Sequence, residues 1–303
     1  MKILRDKTKK IFVLFVFFLV KKILNYSYFQ ECIFQGLKGN LYAGNSLSEI
    51  SISIAFGDAD GDGFDEVGVT RYAGSNARYI ILDDANAGFI EILAGGTGWG
   101  GAAYATSIAF GNVDNDSSLE FGVARRAGSG ARYMIFEDAN NGFILLHEGG
   151  HGWGGAAYAT DIAFGNVDGD GYEEAGITRR AGSNARYIII DDDNAASPYS
   201  ELYAGGTDWG PNAYATAISF GDVDNDGYEE IGIARMAGEN GRFFVVDDSA
   251  NSFNAILSWG AFWGASAYAT DVAFGNVNSD ANMELGVTRR SGMNARYMIY
   301  NPN

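Results

Sequence analysis

The sequence predicts an all-β fold, a single five-bladed β-propeller of four-stranded antiparallel blades closed by an N-terminal strand. Three observations predict it. A repeat returns five times, the segments inside each repeat have the composition of strands and tight turns, and the last repeat lacks a strand that the region before the first repeat can supply. No long stretch with a helical period follows residue 25. The propeller domain is expected to span residues 31–301.

The repeat is marked by an apolar segment that ends in Phe-Gly. It reads IAFG at positions 54, 108 and 162, ISFG at 218 and VAFG at 272, so successive units are 54, 54, 56 and 54 residues apart. Internal repeats of about this length are typical of propellers and solenoids. Five copies therefore predict five blades.

Each unit contains four predicted strands in the same order. In the first unit the segment that ends in Phe-Gly is the first strand, and EVGVTR (66–71), RYIILDD (78–84) and FIEILAG (89–95) are the next three. An acidic loop follows the first strand, a Gly-rich turn (73–77) follows the second, and a long loop (96–106) leads to the next unit. Gly, Asn and Asp at these junctions favour tight turns between antiparallel strands.

The predicted ring is closed by its two chain ends. The fifth unit stops after its third strand, ARYMIYN (295–301), whereas the strand-like segment ECIFQGLKG (31–39) precedes the first unit. Closure removes the unpaired sheet edges that would otherwise invite association. We therefore expect residues 31–39 to form the fourth strand of the last blade. The alternative is an open solenoid of five sheets.

The N-terminal region differs from the rest of the chain. Residues 1–10 are basic and residues 11–20 are apolar, which is the pattern of a secretory signal peptide and is too short for a comfortable membrane span. However, Lys21 and Lys22 follow directly, and no small-residue cleavage site precedes Cys32. We expect residues 1–25 to be the signal peptide of a secreted, extracellular protein. The alternative is an uncleaved N-terminal membrane anchor that leaves the domain facing outside.

Composition argues against several classes of function. The formal net charge of −17 argues against nucleic acid as a partner. The single cysteine, Cys32, excludes an internal disulfide framework. The two histidines, His147 and His151, are too few for a multi-histidine metal site, and no Ser-His-Asp set or catalytic cysteine stands out. We therefore expect a binding protein without catalytic residues rather than an enzyme.

An acidic loop follows the Phe-Gly of every unit. FGDADGDGFDE (56–66) places carboxylates at loop positions 1, 3, 5 and 9, with Gly at position 6. Ca²⁺ takes about six to eight oxygen ligands, and binding it would offset the repulsion between neighbouring carboxylates. The flanking strands and the last acid at position 9 distinguish this loop from an EF-hand. The alternative is a set of solvated acidic turns without metal.

The candidate calcium ligands occupy equivalent positions of the five loops. They are Asp58, Asp60, Asp62, Glu66 and the carbonyl of Phe64 in the first loop; Asn112, Asp114, Asp116 and Glu120 in the second; Asn166, Asp168, Asp170, Glu174 and the carbonyl of Tyr172 in the third; Asp222, Asp224, Asp226, Glu230 and the carbonyl of Tyr228 in the fourth; and Asn276, Asn278, Asp280 and Glu284 in the fifth. Ser117 and Ala281 replace the position-6 glycine in the second and fifth loops. We expect strong sites in the first, third and fourth loops, a weaker one in the second and a doubtful one in the fifth. Their expected role is structural, since no substrate pocket is indicated beside them.

The Phe-Gly pair, the ladder of acids and the repeat period together resemble FG-GAP repeats of the VCBS type, as in integrin α-subunit propellers and related bacterial and fungal propellers. The resemblance covers about residues 50–301. It implies a β-propeller with calcium in the acidic loops and, from the integrins, a protein-binding role in cell adhesion. Family propellers usually have more blades than the five units found here. In blade number the chain is similar to lectins of the tachylectin type.

The cations lie on one side of the predicted blades. All seven lysines lie at or before Lys38, and the 13 arginines beyond it lie around the hairpin between the second and third strands. In an up-and-down blade this hairpin shares a face with the long loop between units. The acidic loops share the opposite face with carboxylates at the end of the third strand, such as Asp83 and Asp84. The sequence therefore predicts two faces of opposite charge.

The long loops add aromatic residues to the arginine-bearing face. The candidate ligand-binding residues are Trp99, Trp153, Trp209 and Trp263; Tyr104, Tyr158, Tyr214 and Tyr268; and Arg71, Arg125, Arg179, Arg235 and Arg289. A sugar ring stacks on an indole, and a guanidinium group binds hydroxyls or a carboxylate. The alternative for the aromatic residues is packing between blades. For the inner arginines, Arg78 and its copies, we favour a structural role.

These features favour a secreted, calcium-stabilised propeller that binds glycans, anionic ones in particular, through repeated weak sites. The nearly identical loops favour a small repeated ligand. The alternative is a protein-binding cell-adhesion module of the integrin-propeller type, which would use a whole face at once and should have loops that differ between blades.

Overall fold

The computed structural model describes residues 50–72, 77–100, 103–126, 130–154, 157–180, 185–192, 194, 198–210, 212–236, 241–263, 267–290 and 297–302. The chain divides into two compact units, Met1–Asn45 and Ser46–Asn303, and every described strand lies in the second. No helix among these residues is long and apolar enough to span a membrane. The predicted leader (1–25) and closing strand (31–39) lie outside the described residues, so both stay predictions.

The described strands form five antiparallel sheets in chain order. The first sheet contains β1 (Ile50–Gly57), β2 (Glu66–Tyr72), β3 (Tyr79–Leu82) and β4 (Glu91–Gly95). The second contains β5 (Tyr104–Gly111), β6 (Glu120–Arg126), β7 (Tyr133–Phe136) and β8 (Leu145–Gly149). The third contains β9 (Tyr158–Gly165), β10 (Glu174–Arg180), β11 (Tyr187–Ile190) and β12 (Glu201–Gly205). The fourth contains β13 (Tyr214–Gly221), β14 (Glu230–Met236), β15 (Phe243–Val246) and β16 (Ala255–Trp259), followed by a 3-10 turn at Ala261–Trp263, and the fifth contains β17 (Tyr268–Gly275), β18 (Glu284–Arg290) and β19 (Tyr297–Tyr300).

Each sheet is an up-and-down meander, in which every strand pairs with the next one along the chain. Four sheets have four strands and the fifth has three among the described residues. The first and second strands of every sheet pair with one register shift, as between Ala105 and Ser107 of β5. This arrangement confirms the predicted all-β class, the five repeated units and the order of strands within a unit.

Neighbouring sheets pack face to face through the Phe-Gly pair itself. Phe164 of the third sheet lies so close to Gly111 and Gly122 of the second that an added Cβ at Gly111 would stand 2.2 Å from the Phe164 Cβ atom. Equivalent slots are formed by Gly57 and Gly68, by Gly165 and Gly176, and by Gly221 and Gly232, and they receive Phe110, Phe220 and Phe274 respectively. These positions therefore require glycine, because any larger side chain would occupy the space taken by the phenylalanine of the next unit.

Hydrogen bonds reinforce the same contacts. The hydroxyl groups of Thr106, Thr160 and Thr216 on the inner strands donate to backbone carbonyls of the next unit, at 3.0, 2.9 and 3.1 Å. The apolar core lies between sheets rather than within one, since a single cluster joins Ile135 of the second sheet to Ile162 and Ile177 of the third. The sheets are thus stabilised mainly by their contacts with neighbouring sheets.

The two end sheets keep one face open among the described residues. Phe56 and Ile54 are 62% and 60% exposed, whereas their counterparts in the other units pack against a neighbouring sheet. At the other end, no atom of the described residues lies within 4 Å of a Cβ added at Gly275. Tyr297 of β19 in the same sheet is 71% exposed. Closure of the ring is therefore not observed in the described part of the chain.

Candidate metal centres and the arginine-bearing face

The acidic loops join the first and second strands of each sheet and fold around their own carboxylates. Asp58 accepts hydrogen bonds from the backbone amides of Gly61 and Gly63, at 2.8 and 2.9 Å, and Asp60 accepts one from the amide of Asp62. Short acidic side chains satisfy the backbone of tight turns in this way. The loops predicted from the sequence are thus formed by the residues that define the pattern.

Loop position 6 separates the five loops into two groups. Gly63, Gly171 and Gly227 adopt φ angles of 90°, 100° and 98°, in the left-handed region that favours glycine. Ser117 and Ala281 at the same position do not adopt a positive φ. The backbone of the second and fifth loops therefore differs from that of the first, third and fourth, as the sequence predicted.

A buried glutamate closes each of the first four loops. Glu66, Glu120, Glu174 and Glu230 are fully buried, and one carboxylate oxygen of each accepts a hydrogen bond of 2.6 to 2.9 Å from a backbone amide of its loop. The second oxygen, Oε1, has no hydrogen-bond partner in any of the four. Burial raises the pKa of Glu66 to about 7 and that of Glu120 and Glu230 to about 8. A buried oxygen without a partner is costly, so this repeated feature fits a hard cation.

Carboxylates from the end of the third strand join these glutamates. Oxygen atoms of Asp60, Glu66 and Asp83 lie within 4.8 Å of one another. The second and third sheets bring together the equivalent sets, Asp114, Glu120 and Glu137, and Asp168, Glu174 and Asp191. Asp58, Asp60 and Asp62 form a further group within the first loop. The sequence placed both sets of acids on one face but did not predict that Asp83 and its equivalents would meet the glutamate.

The fifth loop satisfies its glutamate differently. Glu284 accepts a hydrogen bond from the backbone amide of Val277 at 2.9 Å, as in the other loops, but its Oε1 accepts a second one from the side-chain amide of Asn278. Asn301 stands where the first unit has Asp83. The fifth unit thus has an amide donor where the others have a carboxylate.

The inner arginines fix the long loops to the third strands. Arg78 donates to the carbonyls of Ala103 and Gly100 at 2.7 and 3.1 Å, and Arg186 donates to those of Ala213 and Gly210 at 2.6 and 2.7 Å. Arg132 and Arg242 repeat the contact. All four side chains are buried. The predicted structural role of these arginines agrees with their contacts.

The arginines predicted to bind ligand stack on the tryptophans of the preceding long loop. The guanidinium carbons of Arg125, Arg179, Arg235 and Arg289 lie 4.5, 4.6, 4.6 and 4.5 Å from the ring centres of Trp99, Trp153, Trp209 and Trp263. These four arginines are at most 8% exposed, whereas Arg71 of the first unit is half-buried. The tryptophans are half-buried as well, and Trp99 also contacts the ring of Tyr79. The buried guanidinium groups make cation–π contacts with the tryptophans, and sugar binding by these residues stays a prediction.

A second row of arginines, one residue further along the same strands, alternates with tyrosines. The Arg126 guanidinium lies 5.2 Å from the ring centre of Tyr104 and 5.0 Å from that of Tyr158. Arg180 lies 5.4 Å from Tyr158 and 5.2 Å from Tyr214. Hydrogen bonds to Tyr104 and Tyr158 raise the pKa values of Arg126 and Arg180. We call this row, with Arg290 and Tyr268, the Arg–Tyr row; Arg126 and Arg180 are half-buried and Arg290 is exposed.

The candidate ligand-binding residues chosen from the sequence did not include the arginines of the Arg–Tyr row or Trp259. Consecutive side chains of a strand point to opposite faces, so Arg125 and Arg126 cannot both be buried in the same contact. Trp259, the last residue of β16, is 51% exposed, and Phe262 in the loop that follows is 92% exposed. Trp259 stands where three other units have glycine, packed in each against a tyrosine ring, and the fourth unit has Phe243 in place of that tyrosine. The joint replacement of the glycine by Trp259 and of the tyrosine by Phe243 is visible in the sequence and could have indicated that the fourth unit differs.

Comparison with known proteins shows the fold. No family model and no curated protein matches the chain. Among solved structures, a Bacillus licheniformis rhamnogalacturonan lyase PL11 is similar with a TM-score of 0.50 and 16% identity over 84% of this chain and 49% of that one. The exotype rhamnogalacturonan lyase YesX gives a TM-score of 0.49 and 14% identity over 84% and 48%, and the Dos1 propeller gives 0.43 and 11% over 78% and 66%. The chain spans about half the length of the two lyases. Its repeated antiparallel sheets define it as a β-propeller type of protein.

Proposed function

We propose that this chain is a secreted, calcium-stabilised propeller of the FG-GAP type that binds acidic saccharides on its arginine-bearing face, without catalysis. The observation that carries the proposal is the Arg–Tyr row, in which Arg126 and Arg180 alternate with Tyr158 and Tyr214. Secretion is supported by the sequence of residues 1–25. Calcium is supported by the four buried glutamate oxygens that have no partner.

The chemistry of the Arg–Tyr row suits a sugar acid. A guanidinium group offers donors in a planar fork that matches a carboxylate, and it stays charged at any physiological pH. A tyrosine ring offers an apolar face to the C–H side of a sugar ring and a hydroxyl to its polar edge. Because the units repeat, one saccharide chain can contact several steps of the row, so weak contacts combine. This proposal moves the ligand site from the buried Arg125 series to Arg126 and its equivalents.

A binding comparison tests the saccharide proposal. Oligogalacturonate, an acidic saccharide, and a neutral galactan are titrated into the protein by calorimetry, and we expect measurable binding of the acidic one only. Arg180→Met should weaken it about tenfold, which corresponds to about 1.4 kcal/mol. Methionine is compatible with the strand because the fourth unit has Met236 at this position. Met236→Arg should add a step to the row and tighten binding.

The controls separate the parts of this proposal. Asp65→Asn changes a charge in an exposed acidic loop and should leave binding unaltered. Equal binding of the neutral galactan would show that the arginines do not select the ligand. Absence of binding to either saccharide would reject a saccharide ligand of this class.

Closure of the ring within one chain belongs to the same proposal. The open faces of the two end sheets carry the halves of the contact seen between neighbouring sheets, with Phe56 and Ile54 at one end and Gly275 and Gly286 at the other. We propose that these faces meet and that residues 31–39 complete the last sheet. Burying Phe56 would remove an apolar surface that otherwise costs free energy in water.

A protein-binding adhesion module is the second candidate. It is favoured by Trp259 at the end of β16 and Phe262 in the loop that follows, which are exposed and distinguish the fourth unit from the others. Exposed aromatic residues are enriched at the centres of protein interfaces. If this function holds, Trp259→Ser with Phe262→Ser should lower attachment of cells to the immobilised protein. The same double variant should leave oligogalacturonate binding intact.

A further inference from the structure

The most repeated unexplained feature of the molecule is a buried oxygen that faces other carboxylates. The Oε1 atoms of Glu66, Glu120, Glu174 and Glu230 lack a partner, and all four side chains are fully buried. In the first three sheets the glutamate lies within 4.8 Å of one acid from its own loop and one from the end of the third strand. Three carboxylates at this distance repel one another strongly unless a cation or protons separate them.

We propose that each of the first four units holds one divalent cation between two hairpins, and that the carboxylate at the end of the third strand is a direct ligand. These ligands are Asp83, Glu137, Asp191 and Asp247, each acting with the buried glutamate and the position-3 aspartate of its loop. The inference rests on the proposed calcium binding and extends it, because a loop-only site would need no residue from the second hairpin. The cation then ties the turn between the first two strands to the turn between the last two.

In each of these units the proposed ligand at the end of the third strand is followed by a second acid, which has a different role. Asp84 accepts hydrogen bonds from the amides of Asn86 and Ala87, at 2.6 and 2.8 Å, and so stabilises the turn after the third strand. Asp138 and Asp248 make the same kind of contact with Asn141 and Asn251. The second acid thus organises the turn, and in the second unit Asp138 also lies within 4.8 Å of Glu120 and Asp116. The first acid is the one grouped with the buried glutamate and the position-3 aspartate in each of the first three units.

The fifth unit supports this assignment because both carboxylates proposed to act with the buried glutamate are replaced by asparagine. Asn278 replaces the position-3 aspartate, and its amide donates to Glu284 Oε1. Asn301 replaces the third-strand acid. An amide donor satisfies the oxygen that a cation would satisfy in the other units. One unit without the carboxylates also has its glutamate paired, which is the contrast expected if the carboxylates serve a cation.

Counting bound calcium tests the inference on the full chain. After removal of metal by a chelator and gel filtration, calorimetric titration with calcium should give four sites in the natural protein. Asp83→Asn should reduce the number to three, or weaken one site at least tenfold. Asp65→Asn removes the same charge from an exposed position of the same unit and should keep four. Asn278→Asp combined with Asn301→Asp should create a fifth site.

The outcomes separate this inference from the calcium proposal itself. If the natural protein binds no calcium, the calcium proposal fails and takes this one with it. If the natural protein binds calcium but Asp83→Asn behaves like Asp65→Asn, the sites lie within the loops alone and the two-hairpin ligand set is wrong. Should Asp83→Asn not fold, the double variant of the fifth unit decides, since a count that stays at four overturns the inference.

Discussion

Asn278 donates a side-chain hydrogen bond to Glu284 in the fifth unit, whereas the equivalent glutamates of the other four units leave the same oxygen unpaired. Asn278 and Glu284 thus satisfy each other, whereas the equivalent positions in the other units hold two carboxylates. This difference within one chain provides an internal control for any experiment on calcium.

Calcium should raise the melting temperature of the protein, because it binds the folded loops and not the unfolded chain. One site at a calcium concentration about a hundred times its Kd contributes about 2.7 kcal/mol. Asp60→Ala combined with Asp168→Ala removes ligands from two units and should roughly halve the shift between calcium and chelator, measured by differential scanning calorimetry. Identical melting curves in calcium and chelator would reject the idea.

Asn278→Ala is the matched control for that experiment. It should leave the calcium-dependent shift intact, since the fifth loop is not expected to hold the ion. It should nevertheless lower stability under both conditions by about 1–3 kcal/mol, because the buried Glu284 carboxylate loses a hydrogen bond. A loss of the calcium-dependent shift in this variant would place a cation in the fifth unit.

Asp161 should make stability depend on pH. Its Oδ2 accepts a hydrogen bond from the amide of Ile218 in the next sheet at 3.0 Å, and burial raises its pKa from 3.8 to about 6. Between these values the folded state binds more protons than the unfolded state, so this group lowers stability as the pH rises from about 4 to 6. Asp161→Asn should therefore gain up to about 2 kcal/mol relative to the natural protein at pH 7.5. The difference should shrink at pH 4.5.

Urea unfolding of both proteins at the two pH values measures this effect. Other carboxylates titrate in both proteins and cancel in the comparison. A variant that is less stable by the same amount at both pH values would show that the charge of Asp161 is not the source of the pH dependence.

Phe56→Ala tests closure of the ring against an internal standard. Phe220 occupies the slot of Gly165 and Gly176, and Phe220→Ala should cost about 3–5 kcal/mol. If the first and last sheets meet, Phe56→Ala should cost a comparable amount, and deletion of residues 1–40 should also destabilise the protein. Chemical denaturation measures both. A Phe56→Ala protein as stable as the natural one, or a natural protein that forms head-to-tail oligomers in light scattering, would contradict closure within one chain.

Trp99 and Trp259 should respond differently to truncation. Trp99→Ala removes the ring that covers the buried Arg125 guanidinium, so we expect a loss of about 2–4 kcal/mol in stability. Trp259→Ala alters a side chain that is half exposed and should change stability by less than about 1 kcal/mol. Thermal melting of the two variants decides the question. A Trp99→Ala protein that keeps its stability but loses saccharide binding would return Trp99 to the ligand site.

Much of the fold could be predicted because its signals are local. The Phe-Gly pair, the acidic loop and the Gly-rich turn recur in every unit, and each reports on a few adjacent residues. The difference between the acidic loops at position 6 was equally local, since Gly63 adopts a left-handed conformation and Ser117 does not. The meeting of Glu66 with Asp83 was not local, because it depends on how two hairpins of one sheet lie against each other.

The sequence by itself determined the repeat, the order of strands and the separation of acids from arginines onto two faces. Only the tertiary structure decided which arginine of each adjacent pair is buried. Arg125 and Arg126 differ by one position on a strand and therefore point in opposite directions, and the packing of the neighbouring sheet selects the one that stacks on Trp99. That selection is set by contacts between sheets of different units, which no single stretch of the chain encodes.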